Sequence, residues 1–465
     1  MTELPSGWTR ARLDEVAEVR LGRQRSPKNH TGDHMRPYLR AANVDWNGLK
    51  LDDVKSMNFT DEEAKVYRLQ PGDIVLAEAS GSPGEVGKPA IWNGEIEDCC
   101  IQNTLLRVRS YGPDPHYLLH FLRFEALRGA FVEHSRGVGI HHIGAARLSS
   151  WLIPLPPLVE QRAIVAALEN RFSRLEVAIR SVRVAKRRLR NLRRRVLIEA
   201  VPIRGREGWS VRSVAEAGRV DLGRQRHPDW HQGPNMRSYL RVANVFEDRI
   251  DTSDLMEMDF PPSVFEKFRL REGDILLNEG QSPELLGRPA MYRGVPAEVA
   301  FTNSLLRFRA ADGIDPEWAL LVFRRHMHAG RFTQEVRITT NIAHLSVGRF
   351  KAVEFPIPPL AQQREIVSRT EELMAGLDRL SAAADRSERR AAALRVSILA
   401  EAFAGRLVAQ DPNAEPASDS LALIRARRAA APPSQKARSR RTQIELAAPP
   451  IRVIGKDYQQ EELPL

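Results

Sequence analysis

Cysteine is almost missing from this chain. The only two, Cys99 and Cys100, are neighbours in sequence. Adjacent thiols cannot staple distant segments, and they lack the spacing of a zinc-ligand set. Such usage points to a reducing compartment. Long apolar runs are missing too, and none reaches the length that spans a bilayer. The opening stretch MTELPSGW holds an acid and a proline but no apolar signal region. The expected location is the cytoplasm, away from any membrane.

Catalytic signatures are equally scarce. SPGEVGK (Ser82–Lys88) resembles a phosphate loop, but Walker A needs glycine where Ser82 stands and Ser or Thr where Pro89 stands. The related Gly287-Arg288-Pro289 departs in the same way. No Gly-x-Gly-x-x-Gly follows a strand-like run, which excludes a dinucleotide fingerprint. No Asn/Asp-Pro-Pro-Tyr/Phe methyl-transfer motif occurs either. His141 and His142 are adjacent, a poor metal geometry, and a packed or hydrogen-bonding histidine is the better reading of His142 and its counterpart His344. The sequence offers no catalytic or metal-binding constellation.

Positive charge is abundant. The net charge is +11 and the isoelectric point near 9.9, which favours a polyanionic partner, while charge alone leaves a merely solvated basic surface open. At 465 residues, two or three domains are expected.

Repetition organises the chain. LGRQR stands at Leu21–Arg25 and again at Leu222–Arg226, 201 residues later. At the same offset YLRAANV (Tyr38–Val44) meets YLRVANV (Tyr239–Val245). With slips of one residue, GKPAIW (Gly87–Trp92) meets GRPAMY (Gly287–Tyr292), NTLLRVR (Asn103–Arg109) meets NSLLRFR (Asn303–Arg309), and PPLVEQRAIV (Pro156–Val165) meets PPLAQQREIV (Pro358–Val367). A period this long is a domain duplication rather than a solenoid. The expected order is a globular unit at 1–156, a long helix at 157–202, a second unit at 203–358, a second helix at 359–404, and a tail at 405–465. The tail holds a short helix at Leu421–Ala430 and is otherwise expected to be mostly disordered.

Each unit reads as α+β and strand-rich. Pro71-Gly72-Asp73 turns into the apolar run Ile74–Ala79. NTLLRVR alternates apolar and basic residues, as a half-buried strand does. Helical stretches at His116–Phe131 and Glu317–Phe332 close the units. Beyond them, Val159–Ala200 has no Gly or Pro. Its seam runs through Ile164, Leu168, Phe172, Leu175, Ile179, Val182, Leu189 and Val196, with Lys186 and Arg193 filling two gaps. That is coiled-coil spacing. The second stripe runs through Ile366, Thr370, Leu373, Leu377, Leu380, Ala384, Ala391, Leu394 and Ile398. Each helix makes a rod of roughly 60 Å, and antiparallel packing of the two gives pseudo-two-fold symmetry. Leu158–Val201 holds 12 Lys/Arg against 4 Asp/Glu, whereas Leu360–Phe403 holds 7 of each.

Several repeated side chains can read nucleic acid. Arg bonds bidentately to guanine, and Gln or Asn to adenine, in the major groove. The candidates are Arg23, Gln24, Arg25, Arg40 and Asn43, with Arg224, Gln225, Arg226, Arg241 and Asn244 as their counterparts. For the LGRQR loops DNA contact outweighs a plain turn. For Arg40 and Asn43 a structural role outweighs base contact. Arg187, Arg188, Arg190, Arg193 and Arg194 are candidates for contact with phosphates or with an acidic partner protein.

Two variable units, each followed by a helix that starts PLPPL-x-EQ-x-x-IV or PIPPL-x-QQ-x-x-IV, resemble the DNA-specificity (S) subunits of type I restriction–modification systems. The resemblance covers roughly residues 1–430, and the doubled helix start is its most specific part. It implies two target-recognition domains, each reading one half of a bipartite site in double-stranded DNA. It also implies an antiparallel coiled coil that docks two methyltransferase (M) subunits. Methyl transfer and ATP-driven cleavage then belong to the methyltransferase and restriction/translocase (R) subunits, where S-adenosylmethionine, ATP and Mg are expected. This chain binds no cofactor and is not itself an enzyme in that reading. The two units are unusually alike for this family, so two related, inverted half-sites are expected. The stretches SPKNHTGDHM (Ser26–Met35) and HPDWHQGPNM (His227–Met236) differ, which argues against identical ones. Two other readings stay open here: a stand-alone coiled-coil nucleic-acid-binding or scaffold protein, and a nuclease-like site built from the repeated acids with Asn103 and Asn303.

Overall fold

In a computed structural model that describes residues 4–133, 141–204, 206–334 and 343–430, the two sequence repeats build one module twice. In the first module the turn at Gln70–Asp73 feeds a four-stranded antiparallel sheet. Its order is Ala17–Leu21, Leu105–Ser110, Ile74–Ala77, Pro89–Ile91. The second module repeats it as Gly218–Leu222, Leu305–Ala310, Ile275–Asn278, Pro289–Met291. The turn holds because Asp73 accepts the amide of Gln70 at 2.7 Å, and Asp274 that of Arg271 at 2.8 Å, the local bond that Asx turns use. A three-stranded sheet packs beside each larger one. It runs Cys100–Ile101, Met35–Leu39, Lys55–Asn58 in the first module and Ala300–Phe301, Met236–Leu240, Met256–Asp259 in the second.

The central strand corrects a sequence expectation. Leu105, Leu106, Arg107 and Val108 are all buried, as are Leu305 through Phe308. The strand is covered on both faces. Leu306 and Phe308 join a core with the helix residues Trp318 and Phe323, while Leu305 joins a core with Leu240 and Phe301 of the smaller sheet. Arginine can occupy the inner position because its terminal nitrogens are paired there, although the Nε of Arg107 and of Arg307 is buried without a partner. Arg107 bonds to Glu18 and donates to the carbonyls of Val66 and Arg68 at 3.0 Å. Arg307 meets Asp221 at 2.6 Å. A buried guanidinium without such partners costs several kcal/mol, on the order of 3–5 when one partner is removed.

Helices Pro115–Leu127 and Pro316–His328 cover the larger sheets. Each starts with a proline after an aspartate cap: Asp114 accepts from the amide of His116 at 2.8 Å and Asp315 from that of Glu317 at 2.9 Å. They stop short of the apolar runs that predicted them. Gly129 and Gly330 take φ of +77° and +69°, the left-handed turn that ends helices.

The long helices span Leu158–Ala200 and Leu360–Phe403. The chain divides into two compact units, residues 1–165 with 403–465, and 166–402. Within the second unit the two helices run antiparallel. Glu176 pairs with Arg395, Lys186 with Asp385 and Glu388 at 2.7 Å, and Arg193 with Asp378. The two cations that interrupt the apolar seam are thus the residues the facing helix answers with carboxylates. The stripe on the second helix differs from expectation. Leu373 and Leu380 are exposed, at 51% and 56%, while Val367, Met374 and Leu377 are buried. The first half of this helix leans on its own module, against Leu320 and Leu321, which rotates the buried face away from the seam read in sequence.

In the first unit, Phe403 enters a ring cluster with Tyr117, Phe121 and Phe124 at 5.2–5.6 Å. The chain then turns at Gly405 and forms a helix over Ala417–Ala430, which begins four residues before the expected start at Leu421. It lies on the first module: Arg425 pairs with Glu15, Arg428 stacks on Tyr111 at 4.6 Å, and Ala417 donates to Gly7 O at 2.9 Å. The remainder of the expected tail, 431–465, lies outside the described residues.

Candidate nucleic-acid interface

The antiparallel sheet brings three segments to one edge of each module. In the first these are the chain leaving Leu21, the chain entering Leu105 and the chain leaving Ala77. The amide of Arg23 donates to Ile101 O at 2.9 Å, that of Asn103 to Arg23 O at 2.9 Å, and that of Glu78 to Thr104 O at 2.9 Å. The second module repeats every bond: Arg224 to Phe301 O at 3.1 Å, Asn303 to Arg224 O at 2.9 Å, Glu279 to Ser304 O at 3.0 Å. This lacing explains the glycine of LGRQR. A Cβ on Gly22 would stand 2.3 Å from Gln102 O, and one on Gly223 2.2 Å from Thr302 O.

The lacing also sorts the loop residues. Arg23 points inward. It pairs with Glu63 at 2.7 Å, donates to Asn58 O at 2.7 Å and lies over the Phe59 ring. Arg224 is buried, lies 3.9 Å over the Trp230 ring and bonds to Asp259 O. Burial pushes its guanidinium below the ordinary value. Gln24 and Arg25 are exposed, as are Gln225 and Arg226. The repeated loop is therefore an inward anchor followed by two outward side chains.

Asn43 and Asn244 are corrections to a base-contact reading. Both are 2% exposed. Asn43 accepts from Arg40 N at 3.1 Å and donates to Lys50 O and Asp53 O at 2.9 and 3.1 Å. Asn244 makes the same three bonds to Arg241 N, Asp251 O and Asp254 O. Both amide donors are spent inside the fold, and burial withholds the remaining lone pair of the oxygen from a base. Arg40 and Arg241 are half-buried and paired with Asp53 and Asp254 through one terminal nitrogen each, which leaves fewer of their donors for a partner.

On the first long helix, Arg187, Arg188 and Arg190 are exposed. Arg193 is engaged by Asp378, and Arg194 donates to His328 O at 2.7 Å. The run thus splits into three outward cations and two that tie the helix to its own unit.

Two features escaped the sequence reading. Glu78 and Glu279 face His142 and His344 across the same edge, at 3.1 and 3.2 Å. The repeated helix start also has a physical meaning. Gln161 accepts the amide of Asp114 at 2.8 Å and donates to Pro156 O at 2.8 Å. Gln363 does the same with Asp315 and Pro358, both at 2.8 Å. The glutamine clips the start of each long helix to the cap of its module's helix. For the glutamines the signal was present, since Gln161 and Gln363 lie in the doubled helix start, but it did not name their partners.

Residues 5–181 match the type I restriction modification DNA specificity domain. The chain is 25% identical over 432 residues to the type I restriction enzyme EcoKI specificity subunit of Escherichia coli strain K12, covering 88% of this chain and 91% of that protein. It is 26% identical over 428 residues to the StySPI specificity subunit of Salmonella potsdam, with the same coverage. The fold matches a chain solved in work on assembly and conformational transition of the type I R-M system, with TM-score 0.68, 20% identity, and 87% of this chain and 100% of that chain covered. It also matches the HsdS subunit from Thermoanaerobacter tengcongensis, with TM-score 0.51, 21% identity, and coverage of 87% and 98%. The doubled module and the doubled helix start agree with these likenesses: over most of its length the chain is similar to specificity subunits of type I restriction–modification systems.

Proposed function

We propose that this chain is the DNA-recognition subunit of a type I restriction–modification complex and acts in the cytoplasm. Each module reads one half of an interrupted, near-palindromic site in double-stranded DNA. The observation that carries this is the outward pair Gln24-Arg25 and its copy Gln225-Arg226, presented at the same edge of two copies of one module. Arg and Gln are the side chains that bond bidentately to guanine and adenine. Arg40 and Arg241 sit close by and contribute charge. Arg187, Arg188 and Arg190 contact phosphate or an acidic partner. Two methyltransferase subunits and restriction/translocase subunits supply the chemistry, with S-adenosylmethionine, ATP and Mg bound on them.

Co-expression with the cognate methyltransferase in a methylation-free host, followed by mapping of modified adenines, tests this. An interrupted two-part motif is expected. A stable complex without new methylation would leave a scaffold role in its place, and metal-dependent cleavage by the purified chain alone would favour a nuclease.

A further inference from the structure

The edge that carries the outward Gln-Arg pairs also carries a carboxylate–imidazole pair in each module. Glu78 approaches His142 Nδ1 at 3.1 and 3.4 Å, and Glu279 approaches His344 Nδ1 at 3.2 and 3.4 Å. The rings are 57% and 62% exposed, the carboxylates 17% and 25%. Each pair is held from both sides by main chain. Glu78 donates its amide to Thr104 O and accepts that of Ile143 at 3.0 Å; Glu279 donates to Ser304 O and accepts that of Leu345 at 2.7 Å. Thr104 follows Asn103, whose amide bonds to Arg23 O. One step along the chain and two hydrogen bonds therefore separate each pair from its LGRQR loop. Among the described residues, no third side chain hydrogen-bonds to either ring.

The chemistry of the pair complements that of the loop. Arginine only donates. A ring that gives its Nδ1 proton to a carboxylate presents, in its uncharged form, Nε2 as an acceptor. The neighbouring carboxylate adds further lone pairs. Such an edge accepts from the exocyclic amines that adenine and cytosine show in the major groove, and its negative charge disfavours phosphate. Because the pair keeps one geometry while the loops Ser26–Met35 and His227–Met236 differ, it serves a position that the two half-sites have in common.

We propose that His142 with Glu78, and His344 with Glu279, read an amine-bearing base, adenine or cytosine, at the matching position of each half-site. This rests on the proposed role in DNA recognition. The test is selection of bound duplexes from a random-sequence pool by the full chain in complex with its methyltransferase, as wild type, His142→Ala and His344→Ala. The wild type is expected to select A or C at one matching position in both halves. His142→Ala should lower that preference at least tenfold in one half only, and His344→Ala in the other. The half-site that stays sharp in each variant reports that the chain is folded. Unchanged motifs, or weaker binding with no change in base preference, would overturn the base-reading role and leave recognition by the loops standing. A wild-type complex that selects no two-part motif would overturn the recognition reading and this proposal together.

Discussion

The indole Nε1 of Trp8 donates to Glu160 Oε2 at 2.7 Å, across 152 residues of chain. Its counterpart Trp209 donates to Gln362 at 3.0 Å. The Gly-Trp that opens each module and the Glu/Gln that opens each long helix are thus two ends of one contact. The departure of Gln362 from Glu160 is conservative because an amide oxygen accepts from an indole as a carboxylate does.

Glu160→Gln should therefore leave stability nearly unchanged. Gln161→Leu removes the clip and leaves the partly buried amide of Asp114 without its acceptor. It should lower stability by about 1–3 kcal/mol. Thermal melts of the two variants check the contrast, and equal melting temperatures for both would refute it.

Gln225→Ala and Arg226→Ala should relax one half-site at about 1–3 kcal/mol per bidentate contact, with an unchanged melting temperature. Arg224→Ala should instead lower the melting temperature, since its guanidinium packs between Trp230 and Phe260. Binding-site selection and thermal unfolding on the same preparations separate the two roles.

Lys186→Glu should weaken the pairing of the long helices by setting a third carboxylate beside Asp385 and Glu388. Adding Glu388→Lys should restore part of the loss. Denaturant unfolding in a double-mutant cycle measures the coupling, and purely additive effects would deny the contact any energetic role.

Acid should act on the second module in two steps. Burial pushes the His326 imidazole down to about 4, assisted by the charge of Arg325. Its ordinary value is near 6.5, so the unfolded chain takes up that proton first, and stability falls as pH drops from 6.5 towards 4. Burial opposes ionisation of Glu247, but the hydrogen bond from His328 and the charge of Arg324 outweigh it and bring the carboxyl down to about 2. That contribution is complete above pH 4.5 and is lost as pH falls from 4.5 towards 2. Melting temperatures across pH 3–8 should decline through both windows, and His326→Gln should flatten the upper one.

Burial pushes the Cys99 thiol up to about 12 and the Cys100 thiol up to about 11. Thiolate is the reactive form. Iodoacetamide at pH 8 should label neither residue in the folded chain and both in denaturant, as mass spectrometry of the two samples would report. Rapid labelling of the native chain would contradict the burial.

Much of the fold was legible because duplication writes every constraint twice. LGRQR, YLR-x-ANV and the doubled helix start mark the modules, and heptad spacing marks the helices. The loop residues were less legible. Arg23 and Arg25 read alike in sequence, yet one lies over Phe59 and the other faces solvent. The exposed Leu373 and Leu380 were misread as seam residues because periodicity gives a helical face but not the neighbour it meets.

Sequence by itself determined the repeated plan, the long helices and the basic balance, all of which follow from local pattern and internal comparison. Tertiary structure decided which polar groups remain for a partner. Asn43, Arg107 and Arg224 are consumed by backbone carbonyls, carboxylates and rings brought together from distant positions. Whether a side chain faces a ligand or its own fold depends on those long-range contacts, and no local spacing encodes them.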